Sequence, residues 1–273
     1  MTTEPHDSHR DLIERRRSSF GSAARAYAEH RPTYPAEAAR WALEPAAAAP
    51  PGGGQGAAAT LDVLDLGAGT GKLSAVVAGL GHRVTAVEPD VAMLGELRAR
   101  CPQVTAVQGG AEQIPLPDAS VDAVVVGQAF HWFDQSRALP EIARVLRPGG
   151  VVAALWNADD DRVEWVRGLV TVSPSEVSTV DWTNEPGIGA YPEFGPPAEE
   201  LFTHRARHTV ESLLATIGTH SHMLTLEPAA RAEASARVRA YLDSRPETSA
   251  EPFELPLTTR VQRRIRTGGF TGS

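Results

Sequence analysis

Five short apolar runs separated by stretches of helical composition limit what this chain can fold into: LDVLDL (61–66), VTAVE (84–88), VTAVQ (104–108), VDAVVVG (121–127) and VVAALW (151–156). Runs such as Val124-Val125-Val126 lack the polar alternation of a strand with one wet face, so helices must cover them on both sides. The pattern predicts a parallel sheet with right-handed crossovers. Ligands then gather beyond the carboxyl ends of the strands, after Leu66, Glu88, Gln108 and Gly127.

Outside this stretch the rhythm differs. Helical composition over 11–28 is followed by the break Arg31-Pro32-Thr33-Tyr34-Pro35, a helix from 36 to about 43, and a Pro/Gly/Ala segment over 45–60 that reads as a flexible surface connection. Beyond Asn157 the pattern predicts a helix at 162–170, a Ser/Pro/Gly-rich loop at 173–197, a strand at 201–208, helices at 210–219 and 227–244, and an extended segment at 253–266. The last two extended segments are expected to form an antiparallel edge hairpin, bringing the sheet to seven strands.

Charge narrows the function. The formal net charge is −8, which provides no broad basic footprint for nucleic acid. A single cysteine, Cys101, excludes an internal disulfide framework and a cysteine-based zinc site, and fits a reducing cytoplasm. The polar, acidic start and the absence of a long apolar run give no sign of a signal peptide or a membrane span. Lys72 is the one lysine among many arginines.

The first strand runs into Gly67-Ala68-Gly69-Thr70-Gly71-Lys72. A phosphate-cradling GxxxxGK[ST] loop fails twice here, because Leu66 and Leu73 occupy its first glycine and its Ser/Thr position. A dinucleotide GxGxxG starting at Gly67 would place glycine or alanine where Lys72 stands, which weakens that reading and leaves it open. Asp65 lies just before the loop and repels a pyrophosphate, whereas a ligand bearing an ammonium or sulfonium group gains from it. Glu88 ends the next strand, 19 residues after Gly69, where a carboxylate accepts both hydroxyls of a ribose. Asp90 is best explained as a helix N-cap.

LDLGAGTG (64–71), VEPDVAML (87–94), GGAEQIPLPDASVDAVVVGQAFHWFD (109–134) and EIARVLRPGG (141–150) stand in an order and at a spacing that together resemble a class I S-adenosylmethionine-dependent methyltransferase of the type 11 domain. The segments 19–37 and 253–266 resemble the subgroup that includes trans-aconitate methyltransferase. The resemblance covers nearly the whole chain, leaving 45–60 and 173–197 outside. It implies a Rossmann-like α/β fold with a helical lid and insert, S-adenosylmethionine as cofactor, S-adenosylhomocysteine as product and a small-molecule acceptor, with neither nucleic acid nor membrane as partner.

By resemblance, Asp65, Gly67, Ala68 and Gly69 hold the methionine part of the cofactor and Glu88 and Pro89 lie at the ribose. Met93 covers one face of the adenine, and Ala111 and Glu112 line its edge; Gly110 stands where many relatives carry Asp. The backbone near Gln128 faces the amino group. Tyr27, Arg31 and Tyr34 resemble an N-terminal lid, Arg31 being able to pair with a carboxylate. His131, Trp132 and Trp156 are the acceptor-side candidates, with Arg205, Arg207, His204, His208, His220 and His222 as further ones. His131 is the one candidate general base, since free imidazole titrates near 6.5; orienting its loop is the alternative role. No metal site is expected.

The organisation that follows is one structural domain: 1–60 as lid and linker, 61–156 as cofactor-binding core, 157–273 as sheet completion and acceptor cover. Methyl transfer by in-line displacement is the expected reaction. A cyclisation or elimination using the same cofactor, a non-catalytic cofactor binder and an NAD-dependent oxidoreductase are the alternatives the sequence leaves standing.

Overall fold

The computed structural model describes residues 31–48, 60–173, 187–220, 223 and 226–267. The expected helix over 11–28, with Tyr27, and His222 lie outside them, as do most of the 45–60 connection and residues 174–186. The described elements are α1 (Ala36–Ala48), β1 (Asp62–Leu66), α2 (Lys72–Gly79), β2 (Arg83–Glu88), α3 (Val91–Arg100), β3 (Thr105–Gln108), β4 (Val121–Gly127), α4 (Gln135–Val145), β5 (Leu146–Asp159), α5 (Glu164–Val172), β6 (Ala198–His208), α6 (Val210–Gly218), α7 (Pro228–Asp243) and β7 (Phe253–Ile265).

The strands form one seven-stranded sheet of order β3-β2-β1-β4-β5-β7-β6. β1 pairs in parallel with β2 and β4, β2 with β3, and β4 with β5. β7 runs antiparallel to β5: Gly149 N donates to Arg266 O, and Asp160 N to Pro256 O, so one strand descends as the other climbs. The predicted parallel sheet with an antiparallel closure is therefore the fold. Its order reverses between β1 and β4, which sets the ligand crevice beside the loops after those strands.

Two compact units make up the chain, one of Met1–Pro32, Ala158–Asn184 and Thr203–Thr258, the other of Thr33–Asn157, Glu185–Phe202 and Thr259–Ser273. In the second, Val63, Ala86, Ala123, Val125, Val151, Ala153 and Val261 pack under α1 and α2 through Ala38, Ala42, Leu43, Leu73 and Val77. In the first, Trp165 and Leu169 of α5 join Leu213 and Ile217 of α6, Leu242 of α7 and Phe253, Leu255 and Leu257 of β7. Each buried Val, Leu, Ile or Phe among them contributes on the order of 1.5–3 kcal/mol, and each alanine less.

Two expected boundaries move. The helix expected to end near 43 continues to Ala48 with Pro45 inside it. Proline has no N–H for the carbonyl four residues back, Trp41 O, and the Arg263 guanidinium donates to that carbonyl instead while lying over the Trp41 ring at 3.8 Å. The strand expected at 151–156 begins at Leu146, because Leu146 pairs with Val121 across a register shift. Gly150 makes this possible: a Cβ there would stand 2.7 Å from Asp122 O. Lys72 is the first residue of α2, directly after the glycine loop. Among the described residues no helix is long and apolar enough to cross a membrane, and no cluster of metal-binding side chains occurs.

Candidate functional site

The loop after β1 is a run of left-handed glycines, with φ of 70° at Gly67, 55° at Gly69 and 84° at Gly71. Gly67 is also squeezed from outside: a Cβ there would stand 2.8 Å from Ala129 Cβ and 3.4 Å from the Phe133 ring. Gly71 serves packing instead, since a Cβ would strike Leu97 at 2.8 Å. Four of the loop amides are already occupied. Gly67 N and Ala68 N donate to Val87 O (2.8 and 3.1 Å) and Gly71 N to Ala68 O (2.9 Å); Gly69 N donates to Glu88 Oε2 at 2.9 Å. A pyrophosphate cradle needs amides free to donate, and these are not.

Asp65, at the end of β1, is completely buried. One oxygen, Oδ2, accepts from Ser74 Oγ at 2.5 Å; the other, Oδ1, is buried with no hydrogen-bond partner. Burial pushes its pKa up to about 7, against the Ser74 hydrogen bond, and the Glu88 carboxylate adds to the rise. A buried carboxylate with an empty lone pair beside a tight glycine turn is built to receive a donor, and a cationic donor best. Sequence reasoning missed Ser74, although its place in the first turn of α2 faces it to β1.

Glu88 is nearly buried, and both its oxygens brace loops: Oε2 takes Gly69 N and Oε1 takes Asp90 N at 2.9 Å. A carboxylate at the end of this strand has the geometry to accept from the two hydroxyls of a ribose. Asp90 caps α3 by accepting from Ala92 N and Met93 N, as expected. Met93 is buried, its sulfur 3.6 Å from where a Gly69 Cβ would stand. Pro89 is exposed and its carbonyl accepts from Gln108 Nε2. Ala111 is buried, while Glu112 Oε1 accepts from Asp134 N at 3.1 Å.

Beyond β4, Gln128 holds φ of 56°, a strained conformation for a non-glycine residue. It is fixed by Gln128 N to Leu155 O (2.9 Å) and Nε2 to Asn157 O (2.7 Å). Asn157 in turn donates to Thr33 O and accepts from Thr259 Oγ1, and Tyr34 lies so close to Gly127 that a Cβ there would meet its hydroxyl at 2.7 Å. A short 3-10 turn, Phe130–Trp132, follows. Phe130 is core, the His131 and Trp132 rings lie 4.6 Å apart, and Phe133 turns toward Gly67. His131 retains exposed surface, and burial among its neighbours lowers its pKa to about 4. The direction is what matters: the ring is neutral near pH 7 and a weaker base than free imidazole.

Two expected site residues, the acceptor-side Trp156 and the lid residue Arg31, are engaged by neighbouring side chains. Trp156 is 1% exposed, with the Arg260 guanidinium 5.5 Å from its ring centre. Arg31 belongs to the other unit, where it donates to Thr219 Oγ1 (3.0 Å) and Thr219 O (3.2 Å) and lowers the pKa of Asp159 against a dominant burial effect. There too, Arg205 pairs with Glu254 at 2.8 Å and His208 Nδ1 lies 3.1 Å from Ser212 Oγ.

Sheet order, reversal point and glycine turn define a Rossmann-like α/β core with Asp65 and Glu88 at the ligand end of the sheet. A methyltransferase domain model matches residues 64–154. An uncharacterized methyltransferase of Mycobacterium tuberculosis is 41% identical over 251 residues, covering 88% of this chain and 93% of that protein. A Mycolicibacterium smegmatis protein named as an S-adenosylmethionine-dependent methyltransferase is 44% identical over 91 residues, 33% of this chain and 35% of that one. A solved structure from Anaeromyxobacter dehalogenans, provisionally assigned as a type II methyltransferase, superimposes with a TM-score of 0.58 at 30% identity, covering 86% of this chain and 97% of its own. The chain belongs to the class I S-adenosylmethionine-dependent methyltransferase family.

Proposed function

We propose that the chain moves the methyl group of S-adenosylmethionine to a small-molecule acceptor, the cofactor lying over the carboxyl ends of β1, β2 and β4. The observation that carries this is the buried, unpartnered Asp65 Oδ1, which suits an ammonium donor, beside a glycine loop four of whose amides are spent internally. Both features disfavour a dinucleotide pyrophosphate at the same turn.

Bound there, the cofactor supplies an electrophilic methyl group on a sulfonium, and its loss to the acceptor leaves S-adenosylhomocysteine. Asp65 would take the ammonium and Glu88 the ribose hydroxyls, and Met93, Ala111 and Glu112 would border the base. Gln128 offers backbone on the β4 side. Trp132 and Phe133 give aromatic faces, which attract a poorly hydrated cation. The contribution of the protein is alignment and exclusion of water, effects worth up to about 7–11 kcal/mol in well-oriented systems. A weakly basic His131 supports an acceptor that needs no strong base. An already ionised carboxylate is such an acceptor, and the resemblance of 253–266 to the trans-aconitate methyltransferase subgroup agrees with it. The acidic net charge fits small molecules better than nucleic acid.

The test pairs calorimetry with product analysis. S-adenosylmethionine and S-adenosylhomocysteine should bind and NAD should not; with methyl-labelled cofactor and a metabolite extract, mass spectrometry should find label in a new product. Binding of NAD alone, or turnover with no labelled product, would overturn the assignment.

A further inference from the structure

The end of the 173–197 loop, which falls outside the sequence resemblance, is tightly fastened where it is described. Gln135 Nε2 donates to Gly187 O at 3.2 Å, and Gln135 Oε1 accepts from Gly189 N at 2.9 Å. Between these two bonds, Ile188 N donates to Gln262 Oε1 at 2.5 Å and Ile188 O accepts from Arg264 Nε at 2.9 Å. Further along, Gly195 N donates to Ile265 O and Arg264 Nη1 donates to Gly195 O. The glycines are what let the strap come this close. A Cβ on Gly189 would stand 2.7 Å from Gln135 Oε1, and one on Gly187 would overlap the Gln262 carboxamide.

Gln135 is the first residue of α4, and the two residues before it touch the cofactor loops. The Phe133 ring abuts Gly67. Asp134 N donates to Glu112 Oε1 at 3.1 Å, while the Asp134 carboxylate caps α4 through Ser136 N. Three consecutive residues thus contact the glycine turn, the loop of Glu112 and the strap. α4 begins just past the carboxyl end of β4, so residues 187–189 are fastened at the ligand end of the sheet, whereas Gly195, bonded to Ile265, lies near Gly149 and Gly150 at the other end. A surface loop with no task has no reason to use both ends of a glutamine carboxamide in this way, since ordering such a side chain costs entropy.

We infer that Gln135 is a positioning residue: it holds residues 187–189 beside the cofactor loops at the ligand end of the sheet, so that filling the cofactor site tightens this end of the strap. The inference rests on the cofactor reading above. Coupling runs through contacts already in place: the side chains on either side of residues 133–135 are fixed at both ends, so restraint at the glycine turn and at Glu112 restrains Gln135. Binding in which the cofactor precedes the acceptor follows from it.

Hydrogen exchange on the full chain, with and without saturating S-adenosylhomocysteine, tests this together with calorimetry. In the unaltered chain the ligand should slow exchange of the peptide spanning 187–194 by about fivefold or more, as stabilisation of a local opening requires. In Gln135→Ala that slowing should vanish while affinity stays within about threefold, because Gln135 touches the strap and not the cofactor site. Gly189→Ala reaches the same contact from the other side, displacing the carboxamide while leaving Gln135 in place, and should behave alike. Slowing that is absent in the unaltered chain despite measured binding, or retained in both variants, overturns the inference. A flat calorimetric trace in the unaltered chain overturns the cofactor reading instead, so the two failures are told apart.

Discussion

Replacing Asp65 by asparagine should make the ligand-free protein more stable above neutral pH and less able to bind cofactor. The buried carboxyl has its pKa moved from 3.8 to about 7. At 1.36 kcal/mol per unit, about three units mean that the ionised form costs the folded state about 4 kcal/mol. The sign follows from proton counting. Between pH about 4 and 7 the folded chain keeps a proton that the unfolded chain has lost, so stability falls with rising pH by about 1.4 kcal/mol per unit and levels off above 7. Asparagine cannot ionise and removes that slope, but it puts an amide group with two hydrogens to satisfy into a buried site where the replaced oxygen had no partner, a pH-independent cost of about 1–3 kcal/mol. The variant should therefore be the weaker protein near pH 4 and the stronger one near pH 8. Urea unfolding midpoints from pH 4 to 8 measure this, and curves that run parallel to those of the parent across the range would refute the reasoning. With S-adenosylhomocysteine added, only the parent should gain stability. Its affinity should rise from pH 5.5 to 7.5 as the ligand ammonium drives off the Asp65 proton.

Three further outcomes follow from the site. Glu88→Ala should weaken S-adenosylhomocysteine binding by more than about tenfold and, because Gly69 N and Asp90 N lose their acceptor, lower stability by about 1–3 kcal/mol; unchanged affinity by calorimetry would remove the ribose role. Gly67→Ala combines a φ of 70° with a 2.8 Å approach to Ala129 Cβ and should cost about 1–3 kcal/mol, with cofactor binding lost; a variant melting with the parent would contradict the crowding. His131→Asn should leave the shape of the pH–rate profile intact between pH 6 and 9, because the histidine pKa lies near 4. Disappearance of an inflection near 6.5 in the variant would restore His131 as a base.

The strands were legible because each is an unbroken apolar run between turn residues, a pattern that helix-covered parallel sheets impose directly. Asp90 was equally readable, since a cap is a local matter. Contacts made across large sequence separations were not. Nothing near Pro45 announces Arg263, 218 residues later, as the donor that lets α1 run through a proline. Trp156 reads as a possible pocket aromatic at the end of a strand, yet the pairing of β7 with β5 sets Arg260 over it. Glu88 was found through its spacing, but its two backbone partners depend on how the glycine loop turns back onto β2. Asp65 was recognisable as an acid beside a glycine loop; its orphaned oxygen was not, because only packing decides which lone pairs are filled.

Lys72 opens α2 immediately after Gly71 and carries the one ε-amine of the chain. Every other basic side chain except the histidines is a guanidinium, which amine-directed reagents pass over. Apart from a terminal α-amine, a reagent that acylates amines thus meets a single lysine, and that lysine lies next to the glycine turn proposed to hold the cofactor. The composition that looks like a quirk of codon usage thereby turns the helix start into a natural address for a spectroscopic label, attached without introducing a cysteine, at the mouth of the loop whose occupancy one would wish to watch.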